Sequence, residues 1–351
     1  MHELHKFKKW LKLISCVINL MPSFFKIIIF LFLFIISFFT STFATNSDKS
    51  FEEWLLSYKN EALKKGISQE TIDITFKNVK FLEQVIIYDR KQPEFFEDTN
   101  TYVKKRATPK KAKQARKLLK KNNQLFNEIE NKFNVDKEIL LSLWGIETIY
   151  GKYVGKMDII SSLATLSYDK RRSDFFSSQL FTLLQLIDKK LIDPSKYYGS
   201  WAGAYGNFQF MPSTTEKYAI DYDNNEKIEL INSLDDSLAS AANYINKIGW
   251  KRGHPCLIQV KTTKKIKKKY VNLSARKIHH RLKISNWKKM GVVNIDGSDL
   301  QTNFRAALIL PDGEPNTPTY LAFSNYEKIL KWNKSLRFGI SVCTLAKMIK
   351  I

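Results

Sequence analysis

A single carboxylate, Glu147, lies in the otherwise apolar stretch LLSLWGIETIYG at positions 140–151. At helical spacing Leu140, Leu143, Trp144 and Glu147 share one face, so the stretch predicts a buried helix that carries one acid. Burial of an unpartnered carboxylate raises its pKa, which suits a general acid such as that of a glycosidase. A glutamate at the helix edge that reaches solvent or pairs with a lysine or arginine is the alternative. This segment alone leaves both interpretations open.

Helices must position this acid, and apolar periodicity predicts them on both sides of it. A break at Gly66 is followed by Ser68, which is the predicted N-cap of the next helix. The helix that carries Glu147 is predicted to begin at an N-cap, Asp136, and to end at Gly151. The other predicted helical stretches are 51–90, broken at 66–68, then 109–133, 160–192, 237–248 and about 335–350. A glycine- and aromatic-rich loop is expected at 197–213. From 253 to 320 the pattern weakens to short apolar runs among prolines, which predicts loops and short strands.

The first 44 residues are typical of an export signal. An uncharged apolar run at 27–39 is followed by a small-x-small cleavage site at 42–44. The run is short for a helix that crosses a bilayer, so we expect a cleaved signal peptide, with an uncleaved N-terminal anchor as the alternative. The stretch ahead of the run is unusually long, which leaves both Met1 and Met21 open as the start.

The composition describes a globular, strongly basic protein. Hydrophobic residues make up 44% of the chain and aromatic residues 13%, which excludes global disorder. The formal net charge is +23, and an exported protein of this charge suits an anionic membrane surface or envelope polymer. Lysine-rich stretches at 104–121 and 261–269 also suit nucleic acid, but no groove-reading motif accompanies them and export argues against that partner. After signal removal Cys256 and Cys343 remain, and they could form one disulfide.

Several motifs follow one another in a recognisable order. WGIETIYG at 144–151 precedes SSLATLSY at 161–168 with Arg171 and Arg172, GSWAGA at 199–204 and QFMPS at 209–213. The remaining elements are QPEF at 92–95, ASAANY at 239–244, GW at 249–250, LPDG at 310–313 and WNKS at 332–335. Together they resemble the lytic murein transglycosylase B family, glycoside hydrolase family 103, over about residues 50–350. Any one of these motifs is weak evidence for the family, whereas the whole set in the same order is specific for it.

The resemblance implies a mainly α (α+β) fold with a goose-lysozyme-like helical catalytic core, an N-terminal helical part and a small strand-containing insertion. The expected regions follow the chain in order: a signal peptide or N-terminal anchor at 1–44, an N-terminal helical region at 45–130, the catalytic core at 131–250, the insertion at 251–320, and a C-terminal helix completing the core at 321–351.

It also implies cleavage of the β-1,4 bond between N-acetylmuramic acid and N-acetylglucosamine of peptidoglycan, with a 1,6-anhydro product, in the periplasm of a Gram-negative-type cell. Glu147 would be the sole acid/base, and no cofactor is required. This agrees with the residues, because ordinary glycosidases need two carboxylates, whereas muramic acid can supply its own nucleophiles. A hydrolytic muramidase and a non-catalytic peptidoglycan-binding scaffold are the alternatives.

The matched motifs also imply roles for other site residues, each at its own matching position. Ser200 stands where the family places a hydroxyl that bonds the catalytic glutamate. Four residues match substrate-binding positions: Tyr102, Gln209, Tyr244 and Asn333. Packing is the alternative role for each, because aromatic and amide side chains are common in cores and caps. Four residues depart from the family pattern, and subsite preference is the property that these changes concern: Tyr205, Asn207, Phe208 and Phe338.

A polar loop after position 220 has some features of an EF-hand. The candidate calcium ligands are Asp221, Asp223, Asn225 and, as in some relatives, a later aspartate, Asp235 or Asp236. Glu226 stands where glycine is expected and Asn232 where a bidentate glutamate is expected. A calcium site and a simple polar turn both remain open, and the chemistry assigned to Glu147 needs no metal.

Overall fold

The apolar periodicity of the sequence becomes helices over most of the chain. The computed structural model describes residues 50–92, 96–313 and 317–350, and those from Phe51 onward form one compact unit. The expected signal peptide or anchor at 1–44 and most of the QPEF element lie outside the described residues. Within the described ranges, no helix combines the length and apolar character needed to cross a bilayer.

Three helices open the described chain and pack into an apolar cluster that they share with two later helices. They are α1 (Phe51–Lys64), α2 (Gln69–Phe76) and α3 (Glu83–Arg90). Ser68 caps α2 as predicted, because its hydroxyl accepts a hydrogen bond from the Thr71 N–H. The Thr71 hydroxyl in turn donates to Asp188 at 2.7 Å, which ties the start of α2 to a later helix.

The next helices lead to the candidate acid. They are α4 (Thr99–Arg106), α5 (Pro109–Lys121), α6 (Asn123–Phe133) and α7 (Lys137–Glu147). Asp136 occupies the predicted N-cap position of α7, but its carboxylate makes no capping bond and accepts instead from the Trp250 indole N–H at 2.8 Å. The predicted end of the helix at Gly151 is wrong. Ile149 and Tyr150 already have left-handed backbones, with φ of 54° and 60°, so the helix cannot continue past Glu147.

The middle of the chain brings short strands and helices around a central loop. In order these are β1 (Met157–Asp158), α8 (Ile159–Tyr168), α9 (Ser173–Asp188), β2 (Tyr198–Gly199), α10 (Pro212–Tyr218) and α11 (Leu234–Lys247). The single helix expected over 160–192 is therefore two. Its interruption at 169–172 is a charged turn whose Arg171 Nη1 lies 2.9 Å from the buried Asp89 carboxylate. The loop expected around 197–213 is present, with β2 paired antiparallel to β1.

The weakly patterned region forms a small sheet, as predicted, with one short helix that was not predicted. Its elements are β3 (Leu257–Thr262), β4 (Val271–Asn272), β5 (Leu282–Lys283), α12 (Ile284–Lys289), β6 (Val292–Asn294), β7 (Arg305–Ile309) and β8 (Thr319–Ala322). The strand order is β4-β7-β8-β3-β6, with β5 also paired to β7. Trp287 of α12 is fully buried beneath this sheet, and its indole N–H donates to the Ala306 carbonyl at 2.8 Å.

Two helices complete the fold, α13 (Ser324–Trp332) and α14 (Leu336–Lys350). The second packs along α7, where the Ser142 hydroxyl donates to the Val342 carbonyl at 2.7 Å. Cys256 and Cys343 form a disulfide across 87 residues of sequence, which joins the start of the sheet to α14. The helix that carries Glu147 is thus held from behind by α14, and its last turn faces the central loop.

Candidate active site

Glu147 is the last residue of α7, and this position explains how an acid can end an apolar face. Leu140 and Leu143 on that face are fully buried, whereas Glu147 itself is half-buried. The predicted buried helix with one carboxylate is therefore confirmed. Because the helix stops at Glu147, the side chain can meet both the protein interior and a ligand from solvent.

Trp332, at the end of α13, holds the Glu147 carboxylate. Its indole N–H donates to Glu147 Oε1 at 2.9 Å. A hydrogen bond to an ionised oxygen is stronger than one between neutral groups and restricts the orientation of the carboxylate. Trp332 belongs to one of the matched motifs, but the sequence indicates no role for it, since nothing local connects residues 185 positions apart.

An aromatic wall continues from Trp332. Its ring stacks on Tyr244 with centroids 4.9 Å apart, and Tyr244 stacks on Tyr218 at 4.4 Å. The Tyr244 hydroxyl donates to the Lys331 carbonyl at 3.1 Å, and burial, with a smaller effect of Tyr218, raises its pKa to about 12. Tyr244 therefore stays a neutral donor at physiological pH. The structure places this predicted substrate-binding residue next to the tryptophan that contacts Glu147.

Gln209 lies in the central loop with a left-handed backbone, φ 51°. Its amide nitrogen donates to the Val154 carbonyl at 3.1 Å and to the Gly206 carbonyl at 2.9 Å. Both amide hydrogens are used by the protein, so the amide oxygen is the atom suited to accept a hydrogen bond from a substrate N–H. This geometry is compatible with the predicted contact to an acetamido group, which stays a prediction.

Ser200 organises the turn at the start of the GSWAGA motif. Its hydroxyl oxygen accepts from the Ala204 N–H at 2.9 Å, and its own N–H donates to the Ala204 carbonyl at 2.9 Å. These bonds define a tight turn beside β2. The predicted hydrogen bond from Ser200 to Glu147 stays a prediction.

The two remaining predicted binding residues lie in different surroundings. Asn333 directly follows Trp332 and ends α13, half-buried, with its N–H donating to the Ile329 carbonyl. Tyr102 is only 1% exposed, and the Arg106 guanidinium lies 3.5 Å above its ring. Tyr102 is thus part of the packing of α4, and its contact with a substrate stays a prediction.

Asn207, one of the departures from the family pattern, is a structural residue of the site. It is 5% exposed and joins three segments of the chain. Its side-chain oxygen accepts from the Trp144 indole N–H at 3.1 Å, and its side-chain nitrogen donates to the Ile231 carbonyl at 2.9 Å. Its backbone carbonyl accepts from the Thr148 hydroxyl at 2.8 Å. Asn207 therefore fixes the central loop to the end of α7.

Gly145 allows the turn after Glu147 to fold back on its own helix. A Cβ at this position would lie 2.6 Å from the Tyr150 ring, closer than atoms can approach. The Tyr150 hydroxyl donates to the Lys111 carbonyl at 2.8 Å, which anchors the turn to α5. The WGIETIYG motif is therefore explained by packing around the acid as well as by the acid itself.

The polar loop before α11 gathers three carboxylates. Oxygens of Asp221, Asp223 and Asp236 lie within 4.8 Å of one another, and Asp236 is fully buried. Glu226 has a φ of 66°, so the loop adopts the turn for which glycine is usual without having one. The Asn225 side-chain oxygen accepts from the Lys227 N–H. The three aspartates provide a donor set that suits a hard cation such as calcium.

Comparison with known proteins gives consistent matches. The family model described as a transglycosylase SLT domain matches residues 50–347. The membrane-bound lytic murein transglycosylase B of Escherichia coli strain K12 is 35% identical over 153 residues, or 43% of this chain and 42% of that protein. The match thus spans less than half of the relative.

Solved structures match a larger part of the chain. SltB3 from Pseudomonas aeruginosa, in complex with NAG-NAM-pentapeptide, has a TM-score of 0.77 and 32% identity over 86% of this chain and 80% of that one. The Escherichia coli lytic transglycosylase Slt35, in complex with calcium, has a TM-score of 0.71 and 25% identity over 88% of this chain and 94% of that one. These similarities confirm the predicted mainly α, lysozyme-like fold.

Proposed function

The chain belongs to the transglycosylase SLT domain family, and on that premise we propose that it is a lytic transglycosylase of peptidoglycan. Its substrate would be the glycan strand, cut at the β-1,4 bond between N-acetylmuramic acid and N-acetylglucosamine, with a 1,6-anhydro product. The observation that carries this proposal is Glu147, placed at the end of α7 and held by the Trp332 indole N–H. The NAG-NAM-pentapeptide complex of SltB3 supports a glycan substrate.

One carboxylate is sufficient for this reaction because the substrate provides the nucleophiles. Protonated Glu147 donates its proton to the glycosidic oxygen while the N-acetyl carbonyl oxygen attacks C1 and the bond to the leaving sugar breaks. Ionised Glu147 then removes the proton of the C6 hydroxyl as O6 attacks C1 and the acetamido oxygen departs. Each proton transfer contributes about 10²–10⁴-fold, and intramolecular attack adds the advantage of proximity.

The Trp332 N–H has a defined part in this cycle. Between the two steps Glu147 is ionised, and the indole N–H stabilises the charge and keeps the carboxylate aimed at the reacting sugar. The stacked rings of Trp332 and Tyr244 would form one wall for the sugar. Gln209 would accept from the acetamido N–H, and Ser200, Tyr102 and Asn333 complete the proposed set.

The remaining expectations accompany this function. Neither step uses a cofactor, and calcium held by Asp221, Asp223 and Asp236 would stabilise the loop before α11. Slt35, a similar protein, was solved in complex with calcium, which supports calcium as the cation to test at these aspartates. The expected export signal at 1–44 would deliver the enzyme to the periplasm, where peptidoglycan lies.

Mass spectrometry of the products tests the proposal. Residues 45–351 are incubated with purified peptidoglycan, alongside a Glu147→Gln variant and a Glu128→Gln control that makes the same change on the exposed face of α6. The expected result is muropeptides one water lighter than hydrolysis products, formed by the wild type and the control and absent with Glu147→Gln. Reducing-end products would indicate a muramidase, and a folded protein that releases nothing would indicate a scaffold.

A further inference from the structure

The small sheet lies in a stretch of the chain whose charge is strongly unbalanced. Between Cys256 and Ile295 there are twelve Lys and Arg residues and no Asp or Glu. Two of these cations are neutralised by acids from outside the segment, in the pairs Arg281 with Glu327 and Lys288 with Asp299. The rest give this part of the protein a strong positive potential.

Four of the lysines converge on one groove. Lys264, Lys265, Lys267 and Lys289 line an open groove of about 520 Å³, together with Tyr270 and Asn286. All four lysines are exposed, and none of them forms an ion pair with the residues that the structure describes. Four like charges around one space repel each other unless an anion occupies it.

The floor of the groove is apolar. Ile266, Leu282 and Met290 line it and are half-buried against the cluster around Trp287. A rim of ammonium groups above an apolar floor is complementary to a molecule that carries phosphate next to hydrocarbon. A soluble polyanion would use the rim alone and would leave the floor in water.

We propose that this groove binds the phosphate headgroups of an anionic phospholipid bilayer. Lysines near an anionic leaflet bind it electrostatically, and apolar side chains between them can enter the interfacial region. The groove would hold the folded unit at the membrane whether residues 1–44 are cleaved or retained. The inference does not depend on the proposed reaction, because it concerns the sheet and not the residues around Glu147.

Vesicle flotation tests the inference. Residues 45–351, which lack the N-terminal apolar run, are mixed with vesicles of phosphatidylglycerol and phosphatidylcholine or of phosphatidylcholine alone. The groove variant carries Gln at the four groove lysines. The matched control carries Gln at four exposed lysines of α5, which makes the same change in net charge: Lys110, Lys113, Lys117 and Lys120.

Each lysine at an anionic surface strengthens binding about fivefold, so loss of even two effective contacts lowers partitioning at least about 25-fold. We expect that loss for the groove variant, a loss below about fivefold for the control, and no binding to phosphatidylcholine alone. Equal losses in both variants would overturn the proposal, as would unchanged binding of the groove variant. Displacement by millimolar inorganic phosphate would also overturn it, in favour of a small-anion site. Unaltered circular dichroism and thermal unfolding of both variants exclude misfolding as the cause.

Discussion

Replacement of Trp332 by phenylalanine should separate the positioning of the acid from the binding of the sugar. Phenylalanine removes the indole N–H that donates to Glu147 Oε1 at 2.9 Å but keeps an aromatic ring beside Tyr244. A hydrogen bond to a charged group contributes about 1.5–3 kcal/mol. If the bond persists in the transition states, its loss corresponds to about a 10–150-fold fall in kcat.

Steady-state kinetics on soluble glycan strands would measure this effect. Because most of the aromatic wall remains, we expect KM to change less than about threefold while kcat falls by the full factor. Trp54→Phe is the control, since it makes the same substitution in α1, within a separate apolar cluster, and should leave both constants unchanged. An unchanged kcat for Trp332→Phe, or a loss expressed entirely in KM, would refute the role given to the indole N–H.

Three further predictions concern the elements that hold the site. Gly145→Ala places a Cβ 2.6 Å from the Tyr150 ring, so urea unfolding should show a loss of about 1–3 kcal/mol. Hydrogen bonds from two hydroxyls hold the pKa of Asp188 below its usual value of about 3.9. The ionised Asp188 carboxylate therefore stabilises the folded protein above that pH, and this stabilisation is lost as the pH falls through the folded-state pKa. Asp188→Asn should therefore lower the Tm at pH 7 and match the wild type in strong acid, whereas a constant difference at all pH values would contradict the linkage. Reduction of the disulfide between Cys256 and Cys343 should destabilise the protein by about 2–5 kcal/mol, and a Tm insensitive to reductant would argue against its contribution.

The local elements around the site could be predicted because they depend on neighbours in sequence. The apolar face that ends at Glu147 follows from the 3.6-residue period, and the Ser68 cap follows from a hydroxyl next to the first turn of a helix. The weak pattern after position 253 indicated short strands, and the small sheet confirms it. The order of the matched motifs predicted the fold family as well.

The ends of elements were less predictable. Gly151 was expected to stop α7, yet Ile149 and Tyr150 adopt the left-handed conformation first, although it is unfavourable for both. Gly145 leaves room for the Tyr150 ring, and the hydrogen bond from Tyr150 to α5 stabilises the turn. Tertiary contacts thus offset the unfavourable backbone conformation. The break at 169–172 has the same origin, because its arginines pair with a carboxylate from α3.

By itself the sequence determined the candidate acid, its helix and the mainly α class, since periodicity and residue type act over a few positions. Only the tertiary structure decided what holds the acid. Trp332 reaches Glu147 across 185 residues, and Asn207 joins the central loop to α7 through buried polar bonds. Buried polar groups are nearly always hydrogen-bonded, and the partner is whichever group the folded chain places within bonding distance. The spacing of two residues in the sequence does not indicate how far apart they lie in the fold.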